Sequence, residues 1–152
     1  MKILIIILTL GIFWRPSLSY MYKNATTLEK IEYYLSYFDS QKDTIIEDTW
    51  KSPQQFMHDK GGDCEDFAIM VYELALCIGY EPKIISMWNL DDDRDYGHAV
   101  CVIDETILFS NHTLEELTLE QYMKNHNYTE FCEYDWRVRQ RYVRNKMYKE
   151  WE

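Results

Sequence analysis

The sequence predicts an α+β domain built around a small antiparallel sheet, and three observations predict it. A stripe of small and apolar residues at helical spacing (Cys64, Phe67, Ala68, Val71, Leu74, Ala75 and Ile78) begins directly after Gly61-Gly62 and stops at Gly79. The period then changes: 82–88, 98–103 and 106–110 are short runs rich in Ile and Val, bounded by turn residues, and read as strands. Helical patterns flank this unit on both sides, so helices and strands are grouped rather than alternating, the arrangement of α+β folds.

The chain opens with one Lys, an apolar stretch from Ile3 to Trp14 and the small residues of Ser17-Leu18-Ser19, the pattern of a secretory signal. Its apolar run is about a dozen residues, shorter than the roughly 20 of a spanning helix, and Arg15-Pro16 ends it. A buried N-terminal helix or an uncleaved anchor is the alternative reading. The expected organisation is a signal peptide over 1–19 and one domain over 20–152. The expected location is exported, whether periplasmic, extracellular or membrane-anchored through an uncleaved signal.

Thr26-Thr27-Leu28-Glu29 reads as a capping box opening a helix with Leu28, Ile31, Leu35 and Phe38 on its apolar face. Ser52-Pro53-Gln54-Gln55 repeats the start signal, and that short helix should end in a sharp turn at Gly61-Gly62. Asp63 then caps the striped helix, expected through about Tyr80. Of the strands, the last two are joined by a hairpin at Asp104-Glu105. Ala99, Cys101 and Ile103 share one face, and Val100 and Val102 share the other with His98, so both faces are apolar and this strand should be central. Thr113-Leu114-Glu115-Glu116 reads as another capping box, with helix from there to the end. The last helix, about 134–152, is basic: Arg137, Arg139, Arg141, Arg144, Lys146 and Lys149 lie among aromatic and apolar residues. It suits contact with an anionic membrane surface or a partner, beside the plainer reading of intramolecular docking.

The formal charge is −10, and loss of Lys2 and Arg15 with the signal would deepen it to −12. That excludes a body that binds nucleic acid by neutralising phosphates. Cys64 and Cys77 fall on opposite faces of one helix and cannot pair, which argues against a disulfide scaffold from the four cysteines.

The chemistry centres on Cys64. It lies in the first turn of its helix, where unpaired amides and the helix dipole favour a thiolate, and it begins the stripe that packs on the sheet. His98 begins the central strand. Such a Cys and His can form a thiolate and imidazolium pair, the His taking the thiol proton and later protonating a leaving amine, with a third polar group holding the His tautomer. Asp63, Glu65 and Asp66 surround the sulfur and oppose its ionisation.

Trp50-Lys51-Ser52-Pro53, then Gly61-Gly62-Asp63-Cys64-Glu65-Asp66-Phe67-Ala68, then Gly97-His98-Ala99-Val100 resembles the bacterial transglutaminase-like cysteine proteinases of the papain-like superfamily, over about Trp50 to Asn111. The resemblance implies a nucleophile-bearing helix packed on a small antiparallel sheet, with extra helices at both ends. It also implies an exported cysteine peptidase or acyl transferase, with Cys64 as nucleophile and His98 as general base and acid. In the family a strand ending Leu-Asp-Asn supplies the third group. Here Ile107-Leu108-Phe109-Ser110-Asn111 has Ser110 in place of the Asp, so the orienter is Ser110 or Asn111. The competing expectation is a catalytically inactive module of the same fold that binds a protein partner.

No cofactor is required by this chemistry. Some members of the resembled family bind calcium through the acids flanking the Cys, which marks Asp63 and Glu65 as metal candidates; the plainer reading makes Asp63 a helix cap and Glu65 a solvated first-turn acid. The acidic run Asp91, Asp92, Asp93 and Asp95 fails the EF-hand pattern, with Tyr96 where Gly is needed and Val102 where the bidentate Glu belongs. The expected partner is a protein or peptide substrate outside the cytoplasm.

Overall fold

The computed structural model describes residues 15–42, 50–89 and 97–136. Most of the apolar leader, the acidic run Asp91 to Asp95 and nearly all of the basic C-terminal segment lie outside the described residues.

Helix α1 (Leu18–Asn24) is capped by Ser17, whose hydroxyl accepts from the Tyr20 amide, and buries Met21 completely. Its start precedes the expected signal boundary at Ser19. Arg15 anchors the entry to it, donating to the Tyr37 carbonyl at 2.8 Å and pairing with Asp39 at 2.9 Å. Helix α2 (Leu28–Leu35) carries the expected apolar face, with Leu28, Ile31, Leu35 and the trailing Phe38 all buried. Its cap sits one residue later than the box predicted: Thr27 accepts from the Lys30 amide, while Thr26 holds the Lys30 ammonium at 3.0 Å.

A two-residue strand β1 (Asp39–Ser40) follows, then α3 (Pro53–Asp59) with Ser52 as its N-cap and Pro53 at its first position. This helix ends at Lys60, which is itself left-handed at φ 64°, so the glycines are not its terminator. Gly61-Gly62 instead forms strand β2, paired in parallel with β1 through Asp39↔Gly61 and Ser40↔Gly62. A Cβ on Gly61 would lie 2.0 Å from the Asp39 carbonyl oxygen, and one on Gly62 would lie 2.2 Å from the Asp66 carboxylate. The glycines are therefore required by close approach on two sides.

Helix α4 (Cys64–Cys77) is the centre of the molecule. The sequence stripe predicted burial of one face, but Ile69, Met70 and Tyr72 are buried as well, because α1, α2 and α3 cover the sides that the sheet does not. Gly79, at φ 94°, closes it as expected.

The sheet is antiparallel, in the order β6-β5-β4-β3-β7. Its strands are β3 (Lys83–Trp88), β4 (His98–Val102), β5 (Leu108–Ser110), β6 (Thr113–Glu115) and β7 (Glu130–Tyr134). Strand β4 is central, as its two apolar faces require. Ala99, Cys101 and Phe109 pack toward α4 in the main core, while Ile85, Met87, Val100 and Leu108 form a second core with Tyr122.

Two expectations for the C-terminal third are corrected. Thr113 opens no helix: residues 113–115 pair with β5, Leu114 opposite Phe109, and the Leu114 amide donates to Glu32 Oε1 at 3.0 Å, tying this edge to α2. The capping box lies five residues on, where Thr118 and Gln121 satisfy each other's amides and open α5 (Leu119–His126). Nor is the stretch from 113 to 134 continuous helix. Asn127 turns left-handed at φ 60°, and β7 returns along the outer edge of β3. Its Phe131, Cys132 and Glu133 are exposed, so no alternating apolar pattern marked it in the sequence. Among the described residues no helix is long and apolar enough to cross a membrane.

Candidate active site

The first turn of α4 meets the sheet at the start of β4. Asp66, three residues after the cap, returns its carboxylate to the Asp63 amide at 3.3 Å and takes the Lys51 amide at 2.7 Å, with the Lys51 ammonium 3.6 Å away. Burial, with Asp63 beside it, nevertheless holds the Asp66 carboxyl up at about 6. These contacts bind the Trp50-Lys51 segment to the turn that carries Cys64. Trp50 itself packs on Tyr134, ring centroids 4.0 Å apart, which joins the same segment to β7.

Cys64 is partly buried, and its thiol donates to Glu65 Oε2 at 3.2 Å. Burial and the Glu65 charge push the thiol up to about 12; a hydrogen bond from the Ala99 backbone opposes this, and Asp63 adds to it. The conflict between helix dipole and acidic neighbours is thus decided for the neutral thiol. Glu65 is not a solvated first-turn acid, since it is only 7% exposed and its carboxylate is turned onto the sulfur.

The Ala99 contact places the sulfur at the residue next to His98. His98 lies on the other face of β4, with its ring parallel to those of Tyr122 and Tyr128 at 6.2 Å each. Burial, reinforced by nearby His126, lowers its pKa below 6.5, so the ring is neutral at pH 7. His98 Nε2 is 3.1 Å from Ser110 Oγ, and Ser110 Oγ is 2.8 Å from the Tyr122 hydroxyl.

Of the two residues left open as orienter, the hydrogen bond falls to Ser110. Asn111 occupies the left-handed position of the β5–β6 turn at φ 53°, and its Oδ1 is buried without a hydrogen-bond partner among the described residues. With Nε2 at Ser110, Nδ1 is the remaining ring nitrogen of His98.

Asp63 and Glu65 sit beside Cys64, but among the described residues no three or more His, Cys, Asp or Glu side chains gather to hold a metal. Calcium takes six to eight oxygens, backbone carbonyls and waters among them, so Asp63 and Glu65 would supply part of such a set; in this structure Glu65 accepts from the Cys64 thiol.

Sequence reasoning missed Tyr122, Tyr128 and His126. They belong to α5 and the turn after it, which carry no catalytic motif; the packing of Tyr122 against the sheet face that bears His98 brings them to the site. The four cysteines are all free thiols.

Comparison with known proteins agrees with this architecture. No curated protein matches the sequence. Among solved structures, Legionella pneumophila LapG in an EGTA-treated form matches at TM-score 0.50 and 28% identity, over 62% of this chain and 55% of that one. Its calcium-bound form matches at 0.49 and 27%, over 62% and 57%, and a further LapG structure at 0.48 and 27%, over 60% of each chain. The chain thus spans less than two thirds of the length of these structures. A family profile described as "transglutaminase-like domain" matches residues 7–143, through every element of the candidate site, and the chain belongs to the transglutaminase-like domain family.

Proposed function

We propose that this domain is an exported cysteine peptidase or acyl transferase acting on a protein or peptide. The observation that carries the reading is the meeting of the α4 first turn with β4, where the Cys64 sulfur sits against the Ala99 backbone and the adjacent His98 is held through Nε2 by Ser110. Both groups are neutral at rest, so His98 acts as a general base during attack rather than as half of a standing ion pair.

The thiol turns from Glu65, His98 Nδ1 takes its proton, and the sulfur bonds to the substrate carbonyl carbon. Amides of the first turn of α4 stabilise the oxyanion. The tetrahedral adduct collapses, the C–N bond breaks, and the imidazolium returns its proton to the leaving amine. Water or a second amine, deprotonated by His98, then releases the thioester; that choice of nucleophile separates hydrolysis from transamidation. Export, and contact of the basic C-terminal segment with a membrane surface, belong to the same proposal and rest on the sequence pattern of residues 1–19 and 134–152.

Two observations favour the second reading, a catalytically inactive module binding a protein partner: the thiol is pushed up to about 12, and the usual carboxylate orienter is replaced by a hydroxyl. Intact mass spectrometry after incubation with a peptide thioester separates the two. The enzyme reading expects an acyl adduct on Cys64, absent in Cys64→Ala and about a hundredfold slower to form in His98→Ala. A folded wild-type protein that forms no adduct between pH 6 and 9 overturns it in favour of the binding module.

A further inference from the structure

Ser110 differs from a carboxylate in one respect that decides the chemistry of His98. A carboxylate only accepts, so it fixes the proton of the neighbouring imidazole on the nitrogen facing it. A serine hydroxyl carries one hydrogen and two lone pairs and can face the same nitrogen either way. If Ser110 donates to Nε2, the imidazole proton moves to Nδ1, and the nitrogen needed for the thiol is no longer a base. The base role proposed above therefore requires that the Ser110 hydrogen be directed elsewhere.

Among the described residues the Tyr122 hydroxyl oxygen, 2.8 Å from Ser110 Oγ, can accept it while His98 Nε2 lies 3.1 Å from the same Oγ. Tyr122 is buried, wedged beside His126 with ring centroids 4.3 Å apart, so this oxygen is held in place. Burial keeps the phenol protonated and neutral, and the contact with Ser110 leaves either hydroxyl free to act as the donor.

We propose that Tyr122 is a positioning residue: by accepting the Ser110 hydrogen it leaves Ser110 a pure acceptor toward His98 Nε2–H, so that two hydroxyls in series do the work of the missing carboxylate. This rests on the Cys64 and His98 reading above. The same direction of donation serves the imidazolium, whose Nε2–H also needs an acceptor. Hydrogen bonds aligned in this way strengthen one another. No covalent bond changes at Tyr122 or Ser110; the only proton that moves travels between Cys64 and His98 and then to the leaving group.

The test uses the full domain with nitrogen-15-labelled histidine. In the wild type, the neutral His98 ring is expected to carry its proton on Nε2. In Tyr122→Phe, which keeps the buried ring, the Ser110 hydrogen turns to Nε2 and the proton shifts to Nδ1. Ser110→Ala, which cuts the link but leaves both rings, should also lose the preference for Nε2–H. Iodoacetamide labelling of Cys64 at pH 7.5 should slow about tenfold in Tyr122→Phe. With a carboxylate orienter the tyrosine hydroxyl becomes dispensable, so Ser110→Asp/Tyr122→Phe should label within about twofold of Ser110→Asp.

A wild-type ring protonated on Nδ1, a tautomer unchanged in Tyr122→Phe, or an equal loss in the Ser110→Asp background overturns the proposal. Labelling of wild-type Cys64 that is indifferent to His98→Ala would instead overturn the Cys64 and His98 reading, and the tautomer measurement still reports on Tyr122.

Discussion

The Cys64 thiol donates to the carboxylate of its own neighbour, Glu65, at 3.2 Å, and that contact adds to burial in keeping the sulfur protonated. Glu65 acts twice, as an acceptor for S–H and as a negative charge beside the sulfur, and both effects raise the thiol pKa above its ordinary range near 9. Glu65→Gln keeps an acceptor and removes the charge. Its expected effect is faster labelling of Cys64 by iodoacetamide at pH 8, by about three- to tenfold, with the midpoint of the pH profile moved downward. A midpoint that stays where it is in the wild type would mean that burial alone sets the thiol.

His98 titrates in the opposite direction. Its pKa lies below 6.5, so the folded protein binds this proton less readily than the unfolded chain does. By linkage its contribution to stability is present above pH 6.5 and is lost as pH falls below it. The melting temperature should therefore drop more between pH 7.5 and 5.5 in the wild type than in His98→Gln. Equal drops would show that His98 is accessible enough to protonate without cost.

The two glycines before Cys64 make a sharper prediction. A Cβ at residue 61 collides with the Asp39 backbone, and one at residue 62 collides with the Asp66 side chain, which is fully buried. Gly61→Ala separates β1 from β2, and Gly62→Ala displaces the carboxylate that holds the Lys51 and Asp63 amides. Each should cost ~3 kcal/mol or more in urea unfolding. Gly62→Ala should also slow acyl-adduct formation on Cys64, since the turn loses its anchor. A loss below about 1 kcal/mol in either variant would show that the β1 and α4 segments yield more easily than their hydrogen bonds suggest.

Residues 15–19 contribute to the fold. A chain starting at Tyr20 lacks Arg15 with its bonds to Tyr37 and Asp39, the Ser17 cap and Leu18. The cap is worth ~1 kcal/mol and the exposed ion pair less, so a chain starting at Arg15 should be more stable than one starting at Tyr20 by about 1–2 kcal/mol in chemical denaturation. Identical midpoints would make these residues bystanders.

Much of this architecture was legible because it rests on local rules. Ser52 with Pro53, the stripe from Cys64 and the switch to alternating apolar residues at Lys83 each report what the nearest few residues prefer, and α3, α4 and β3 to β5 form there. Two-sided hydrophobicity placed β4 at the middle of the sheet. The failures share a cause too. Thr113 and Thr118 both open a capping-box pattern, and only pairing with β5 and the anchor to Glu32 make the first a strand. Strand β7 exists because β3 has a free edge to fill, a fact no residue between 130 and 134 encodes by itself.

The site divides in the same way. Cys64 and His98 were identifiable in the sequence because a helix start and a strand start each confer a property on the residue that occupies them, and because the residues around them match a family pattern. Whether Ser110 or Asn111 meets His98 depended on a turn geometry that sends Asn111 into the left-handed region and leaves Ser110 on the His98 face of the sheet. The charge state of Cys64 depended on the rotamer of Glu65, and the partner of Ser110 on a helix packed from 12 residues away in sequence. Residue type and spacing determine which groups can do chemistry; proton positions follow from contacts of about 3 Å, which only the packed chain creates.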